Sequence, residues 1–146
     1  MPSNIGYSTS KAAMIRMTGC IQAELALAGH RNIHLYTLHP GAVQTGMTEN
    51  PYISSPLLGQ FPNFEKDMKL WVSRFRDSPY LSGMTSVALA SGIAKEVLRG
   101  RYYDSEHDLG DVLAQGEMGL KHPEYYTLGV RFPGGRPNDG GMERSG

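Results

Sequence analysis

Tyr7-Ser8-Thr9-Ser10-Lys11-Ala12-Ala13 opens the stretch that decides the fold of this chain, and the stretch runs on to Ala28. It contains no proline and one interior glycine, and Gly29 follows it as a typical C-terminal stop. Apolar side chains recur along it at steps of three and four residues. The pattern predicts a helix over residues 7–28.

This predicted helix is apolar almost all round. Between Ala12 and Ala28 its only charges are Arg16 and Glu24. Helices of this kind are usually covered on more than one face, so we expect a sheet and a partner helix to cover it. Cys20 lies within it without basic neighbours, and we interpret this thiol as a packing residue.

A predicted strand follows the helix, because residues 32–38 are rich in branched and aromatic side chains and end at His39-Pro40-Gly41. Prolines and glycines over residues 41–63 predict an irregular loop. Further along, the pattern predicts helices over residues 64–75 and 82–98, with Gly92 as a break and Gly100 as a stop. A short strand is predicted over residues 101–103. The last predicted helix spans residues 109–118 and is capped by Asp108.

Tyr7 and Lys11 are four residues apart, which on a helix places the phenol and the ammonium group on one face. A positive charge near a phenol favours the phenolate, so such a tyrosine can exchange a proton near neutral pH. The chain has eight tyrosines, and one such spacing by chance is unremarkable. The alternative is therefore an exposed pair that only solvates the start of the helix.

The surrounding sequence favours the chemical interpretation. The small residues between Tyr7 and Lys11, the long apolar helix, the strand and the turn Pro40-Gly41-Ala42-Val43-Gln44-Thr45 follow one another in that order. Over residues 7–45 this arrangement resembles the short-chain dehydrogenase/reductase family.

The resemblance implies an α/β fold, with the last two strands of a Rossmann-like parallel sheet joined by a right-handed crossover. Residues 1–131 would form the C-terminal half of one such domain, with the substrate-loop region over residues 41–80. The glycine- and proline-rich residues 132–146 would be a flexible tail.

The resemblance also implies a reaction, the interconversion of a carbonyl and an alcohol with NAD or NADP. Tyr7 would be the catalytic acid or base, and Lys11 would assist it and bind the ribose hydroxyls of the nicotinamide half. The cofactor-binding residues implied are Tyr7, Lys11, Pro40, Gly41, Val43 and Thr45. The residues that distinguish NAD from NADP are not identified.

Parts of the family's site have no counterpart in the sequence. The family places its glycine-rich turn, its adenine-ribose selector, a structural asparagine and a catalytic serine before the tyrosine, and only six residues precede Tyr7. No Gly-x-Gly-x-x-Gly occurs in the chain. We therefore expect a truncated oxidoreductase that is not competent alone. The alternative is a non-catalytic remnant that forms a homo-oligomer, or binds a relative, through helix 7–28.

Composition narrows the class of partner. Fourteen basic and fourteen acidic side chains leave no net charge, so we expect neither nucleic acid nor a membrane surface as partner. A single cysteine excludes an internal disulfide and favours the cytoplasm. A small carbonyl or alcohol substrate is expected. The loop contains apolar and aromatic residues that favour an apolar substrate, namely Met47, Tyr52, Leu57, Leu58 and Phe61.

We expect no metal site. The acidic run over residues 104–111 has Leu109 where a calcium loop beginning at Asp104 needs glycine. It is interpreted as a solvated turn before the last helix.

Overall fold

The computed structural model describes residues 5–49, 63–116, 122 and 124–129. These residues form a mixed α/β structure with a two-stranded parallel sheet, which confirms the α/β part of the predicted fold. The elements in chain order are α1 (Ile5–Leu27), β1 (Thr37–His39), α2 (Gly46–Glu49), α3 (Phe64–Val72), α4 (Pro79–Ala90), α5 (Lys95–Leu98), β2 (Tyr102–Asp104) and α6 (Leu109–Ala114). The predicted tail 132–146 and the loop residues 50–62 lie outside the described residues.

The sheet is short. β1 and β2 pair in parallel, with Thr37 opposite Tyr102 and His39 opposite Asp104. The prediction of a strand over residues 32–38 is wrong in its bounds, because β1 begins only at Thr37. Before that point the side chain of Gln22 accepts the Leu35 N–H at 2.8 Å, so this backbone group is bonded to α1.

Local signals place the helix boundaries. Ser78 caps α4 by accepting the Tyr80 N–H, and Pro79 occupies the first turn, so the helix begins earlier than residue 82. Gly92, with φ of 81°, separates α4 from α5 as predicted. Asp108 caps α6 as predicted, since its carboxylate accepts the Gly110 N–H at 2.6 Å.

The hydrophobic core lies on one face of the sheet. Tyr103 of β2 and Leu98 of α5 are its largest fully buried side chains, and the Tyr103 hydroxyl donates to the His107 carbonyl at 2.6 Å. The buried apolar residues of the core are Leu89, Ala94, Val97, Leu98, Tyr103 and Val112. They come from α4, α5, β2 and α6 and from the turn that joins α4 to α5, so these elements hold the sheet from that side.

Helix α1 lies on the opposite face. The Thr37 hydroxyl is bonded to the Thr18 hydroxyl at 2.8 Å, and the Gln22 side-chain amide donates to the Ile33 carbonyl at 3.1 Å. Successive strand residues point to opposite faces, so Thr37 contacts α1 while Leu38 faces the core. The helix is thus fixed to the sheet by polar contacts in its second half.

Two expectations about α1 are wrong. None of its residues is buried, and Met14, Met17 and Ile21 are exposed. Cover by a sheet and a partner helix was expected from the apolar pattern, whereas exposed apolar surface is what a sheet of only two strands predicts. Cys20 is also exposed and is not a packing residue. The physical reason is the width of the sheet, because two described strands cover only one side of so long a helix.

The contact between α1 and the loop before β2 leads to a stability prediction. Gly100 has φ of 75°, and a Cβ atom there would lie 3.0 Å from the Gln22 side chain. We expect Gly100→Ala to lower the free energy of unfolding by about 1–3 kcal/mol, measured by urea titration. Gly83→Ala in α4, where a Cβ meets open space, should raise it by about 0.5–1 kcal/mol. Equal stability of the two variants would contradict this packing.

None of the described helices combines the length and the hydrophobicity that a membrane span requires.

Candidate functional site

Tyr7 and Lys11 lie one turn apart on α1, as their spacing predicts. The Lys11 ammonium nitrogen is 5.3 Å from the centre of the Tyr7 ring, a cation–π contact. Tyr7 is 49% exposed. Among the described residues no hydrogen bond or ion pair reaches the phenol oxygen or the ammonium group. Within the described part of the chain, both groups are therefore accessible to a ligand from solvent.

The two serines between Tyr7 and Lys11, Ser8 and Ser10, do not contact the Tyr7 phenol oxygen. The Ser10 hydroxyl donates to the Tyr7 carbonyl at 2.7 Å, so it is bound to the helix backbone. Ser8 is exposed on the same helix. Neither therefore faces the Tyr7 phenol from a neighbouring strand, where the family places its catalytic serine.

The pair lies toward the carboxyl end of β1. Gln22 contacts Leu35 and Thr18 contacts Thr37, so α1 runs antiparallel to the strand. The seven residues from Thr18 back to Lys11 span about 10 Å of helix, and β1 extends about 7 Å beyond Thr37. Lys11 therefore lies near the level where the strand ends, and Tyr7 lies beyond it. Open α/β sheets bind their ligands at this edge.

The turn after β1 begins at the same edge. Gly41 has φ of 85°, a conformation that favours glycine, and its N–H donates to His39 Nδ1 at 3.2 Å. Val43 is half-buried and Thr45 is exposed. The Thr45 carbonyl accepts the Thr48 hydroxyl at 2.7 Å, which holds the start of α2. The sequence-predicted residues Pro40, Gly41, Val43 and Thr45 thus share one edge with Tyr7 and Lys11.

No described contact joins the two sets of residues. Among the described residues, neither a hydrogen bond nor an ion pair links Tyr7 or Lys11 to residues 40–45. What relates them is the shared edge of the sheet, which follows from the antiparallel directions of α1 and β1.

Sequence reasoning missed a group of titratable side chains at this edge. His39 Nδ1 lies 3.4 Å from the Asp104 carboxylate, and these two residues end the two strands. The interaction with Asp77 is the largest of several causes that raise the pKa of the Glu106 carboxyl group, ahead of desolvation and the nearby Asp104 charge, while His39 lowers it. The sequence signal was the position of His39 and Asp104 at the ends of two parallel strands.

These groups have structural partners. Ligand atoms of His39, Asp104 and Glu106 lie within 4.8 Å of one another, a spacing that would also suit a cation. However, His39 Nδ1 accepts the Gly41 N–H and the Asp104 carboxylate accepts the Glu106 N–H at 3.0 Å. The Ser105 hydroxyl donates to the His39 carbonyl at 2.7 Å. We interpret the group as the network that shapes the turns after β1 and β2.

A cavity of about 390 Å³ lies on the other face of the sheet, between β1 and α4. His34 Nδ1 and the Tyr36 hydroxyl beside it are buried and have no hydrogen-bond partner among the described residues. Burial raises the pKa of Tyr36, with Arg99 opposing and Glu96 adding to the effect. The side chains and backbone that line the cavity belong to Asn32, His34, Tyr36, Leu38, Ser86, Leu89 and Ala90. Because it lies on the face opposite α1, the cavity does not include Tyr7 or Lys11.

The chain was compared with known proteins. No protein-family model matches it, and neither a curated protein nor a solved structure does.

Proposed function

We propose that this chain carries the proton-transfer half of the catalytic site of a NAD(P)-dependent oxidoreductase of the short-chain dehydrogenase/reductase type, with a partial Rossmann-like fold. The single observation that supports this most is the position of Tyr7 and Lys11. They share one face of α1, are free of other partners among the described residues, and lie toward the carboxyl edge of the parallel sheet. The turn 40–45 begins at that same edge.

The residues present suit the nicotinamide half of a dinucleotide. Lys11 can donate to ribose hydroxyls, and the Val43 backbone and the Thr45 hydroxyl can bind the carboxamide, whereas the Thr45 backbone groups are bonded to Thr48. When bound, the nicotinamide supplies or accepts the hydride at the substrate carbon. The Tyr7 phenol donates a proton to the carbonyl oxygen as the alcohol forms, and in the reverse direction the phenolate removes it. The Lys11 ammonium group stabilises the Tyr7 phenolate that remains once the proton has been donated.

The chain does not provide the rest of the site. It has no glycine-rich turn for the pyrophosphate, and Ser10 is bonded to the α1 backbone. Turnover therefore requires another polypeptide segment that supplies the dinucleotide cradle and the serine. In the experiments below, the full-length protein means this chain together with that segment. The substrate that we propose is a small carbonyl compound or secondary alcohol.

A titration of the full-length protein with NADH and with NADPH, followed by nicotinamide fluorescence, tests this function. We expect saturable binding of one of them. Lys11→Met should weaken it about 10- to 100-fold, because a hydrogen bond to a charged group is lost. Lys66→Met, at an exposed lysine of α3, is the matched control and should leave the Kd unchanged. Equal affinities of the two variants would contradict the role of Lys11.

A second candidate function is a pairing module without catalysis. The observation that favours it is the exposed apolar surface of α1, to which Met14, Met17 and Ile21 contribute. Exposed apolar patches of this kind often mark protein interfaces. Two copies of α1 could bury this surface against each other in a dimer.

Sedimentation separates this candidate from the enzyme. If α1 pairs, Met17→Lys should convert a dimer to a monomer, because a buried unpaired charge is unfavourable. Met84→Lys, at an exposed methionine of α4, is the control and should leave the dimer intact. A dimer that binds neither NADH nor NADPH would favour the pairing module, and saturable binding would favour the enzyme.

A further inference from the structure

We infer that Asp77 is a positioning residue, which holds the turn after β1 so that Val43 and Thr45 can contact the nicotinamide group. The ligand part of this inference rests on the proposed function. The anchoring part stands on the geometry alone.

Asp77 forms a two-bond bridge to Ala42. Its carboxylate accepts the Ala42 N–H at 2.5 Å, and its own N–H donates to the Ala42 carbonyl at 3.0 Å. Ser78, the cap of α4, directly follows Asp77 in the chain. The bridge therefore ties the turn to the start of a helix that packs into the core.

Gly41 fits against the same carboxylate. A Cβ atom at Gly41 would lie 2.8 Å from Asp77 Oδ2, which is closer than real Cβ contacts, and its φ of 85° already favours glycine. Because the glycine leaves this space open, the carboxylate can approach the turn and reach the Ala42 N–H. The two residues are thus complementary in shape.

Asp77 also lies close to the carboxylates that follow β2. Its interaction with Glu106 is the largest cause that raises the pKa of the Glu106 carboxyl group. The Glu106 N–H donates to the Asp104 carboxylate at the end of β2, and His39 Nδ1, at the end of β1, lies 3.4 Å from that carboxylate. Asp77 is therefore near both turns, and the bonds that anchor the turn after β1 are those between Asp77 and Ala42.

The connection matters for ligand binding because Val43 follows Ala42 directly. If the bridge to Ala42 is lost, the chain over residues 41–45 is no longer held against α4. Contacts to the nicotinamide end of a dinucleotide would weaken, while contacts to its adenine end, which no part of this turn makes, would stay.

The test uses the full-length protein and two probes, NADH or NADPH, whichever binds, and the corresponding ADP-ribose, which lacks nicotinamide. Asp77→Ala should weaken the dinucleotide about tenfold and change ADP-ribose binding by less than about twofold. Asp77→Asn keeps an oxygen acceptor for Ala42 and should restore dinucleotide affinity. Asp67→Ala, at an exposed aspartate of α3, is the control and should leave both affinities unchanged. Equal losses for both probes with Asp77→Ala would mean a general structural defect and would overturn the inference.

Amide hydrogen exchange tests the anchor independently of any ligand. Asp77→Ala should make the Ala42 amide exchange at least about tenfold faster, because the bond that protects it is lost. The Thr37 amide, bonded to the Arg101 carbonyl, should stay protected. Unchanged protection of Ala42 would overturn the anchor. If the wild-type protein binds neither probe, the ligand part fails together with the proposed function, and faster exchange at Ala42 would still support the anchor.

Discussion

Tyr7→Phe is expected to lower kcat by about 10²- to 10⁴-fold in the full-length protein, since general acid–base catalysis contributes about that much. The substitution removes only the phenol oxygen, which donates the proton to the carbonyl oxygen in the proposed reaction. The ring that stacks under the Lys11 ammonium group is kept, so α1 should be undisturbed. The dissociation constant of the cofactor should therefore stay close to that of the wild type.

Turnover in this experiment is measured with the carbonyl compound or secondary alcohol that the wild-type protein converts fastest. Tyr80→Phe is the matched control, because Tyr80 is a tyrosine of α4 that is 80% exposed and lies outside the proposed site. Its kcat should equal that of the wild type. Full turnover by Tyr7→Phe would contradict the catalytic role of Tyr7. Parallel loss of cofactor binding would point to a structural role instead.

Leu98→Ala is expected to lower the free energy of unfolding by about 2–5 kcal/mol, the range for truncating a fully buried leucine. Leu98 has no exposed surface and belongs to the core cluster with Tyr103. The described core is small, so few neighbours can move to fill the cavity. A loss of this size is a large fraction of the roughly 5–15 kcal/mol that stabilises a typical domain.

Urea unfolding followed by circular dichroism measures this effect. The matched control is Leu70→Ala in α3, where the leucine is 54% exposed and the change should stay within about 0.5–1 kcal/mol. Equal destabilisation by the two substitutions would mean that the core is not centred on Leu98 and Tyr103.

Helices were predicted well because their signals are local. The helix over residues 7–28 is confirmed as α1, the break at Gly92 separates α4 from α5, and Asp108 caps α6. Strand bounds were predicted less evenly, because they depend on distant partners: β2 (Tyr102–Asp104) lies one residue from the prediction of 101–103, whereas β1 (Thr37–His39) differs from the predicted 32–38. Residues 32–36 have strand-like composition, but Gln22 of α1 bonds to Leu35 and β2 offers only three residues for pairing.

The burial of the α1 side chains could not be predicted from the local sequence pattern either. The apolar composition of α1 suggested a covered helix and a packed Cys20, yet coverage depends on how much structure lies beside it. The predicted substrate-loop residues 52–61 lie outside the described residues, so the expectation of an apolar substrate stays a prediction.

In the candidate site, too, contacts within one helix were predictable and contacts between distant segments were not. Tyr7 and Lys11 share one helix, so their spacing alone predicts that they face the same side. Asp77 is 35 residues from Ala42, and no sequence pattern relates the two. The group of His39, Asp104 and Glu106 required the pairing of β1 with β2 to become visible.

Transfer of a labelled hydride tests the central claim most directly, because it follows the proposed reaction itself. The full-length protein is mixed with reduced cofactor deuterated at both C4 positions of the nicotinamide and a set of small aldehydes and ketones, and the products are analysed by mass spectrometry. We predict an alcohol with one deuterium on its carbinol carbon, formed by the wild-type protein and nearly absent with Tyr7→Phe. No labelled alcohol from any carbonyl compound, or equal amounts from the wild type and Tyr7→Phe, would contradict it.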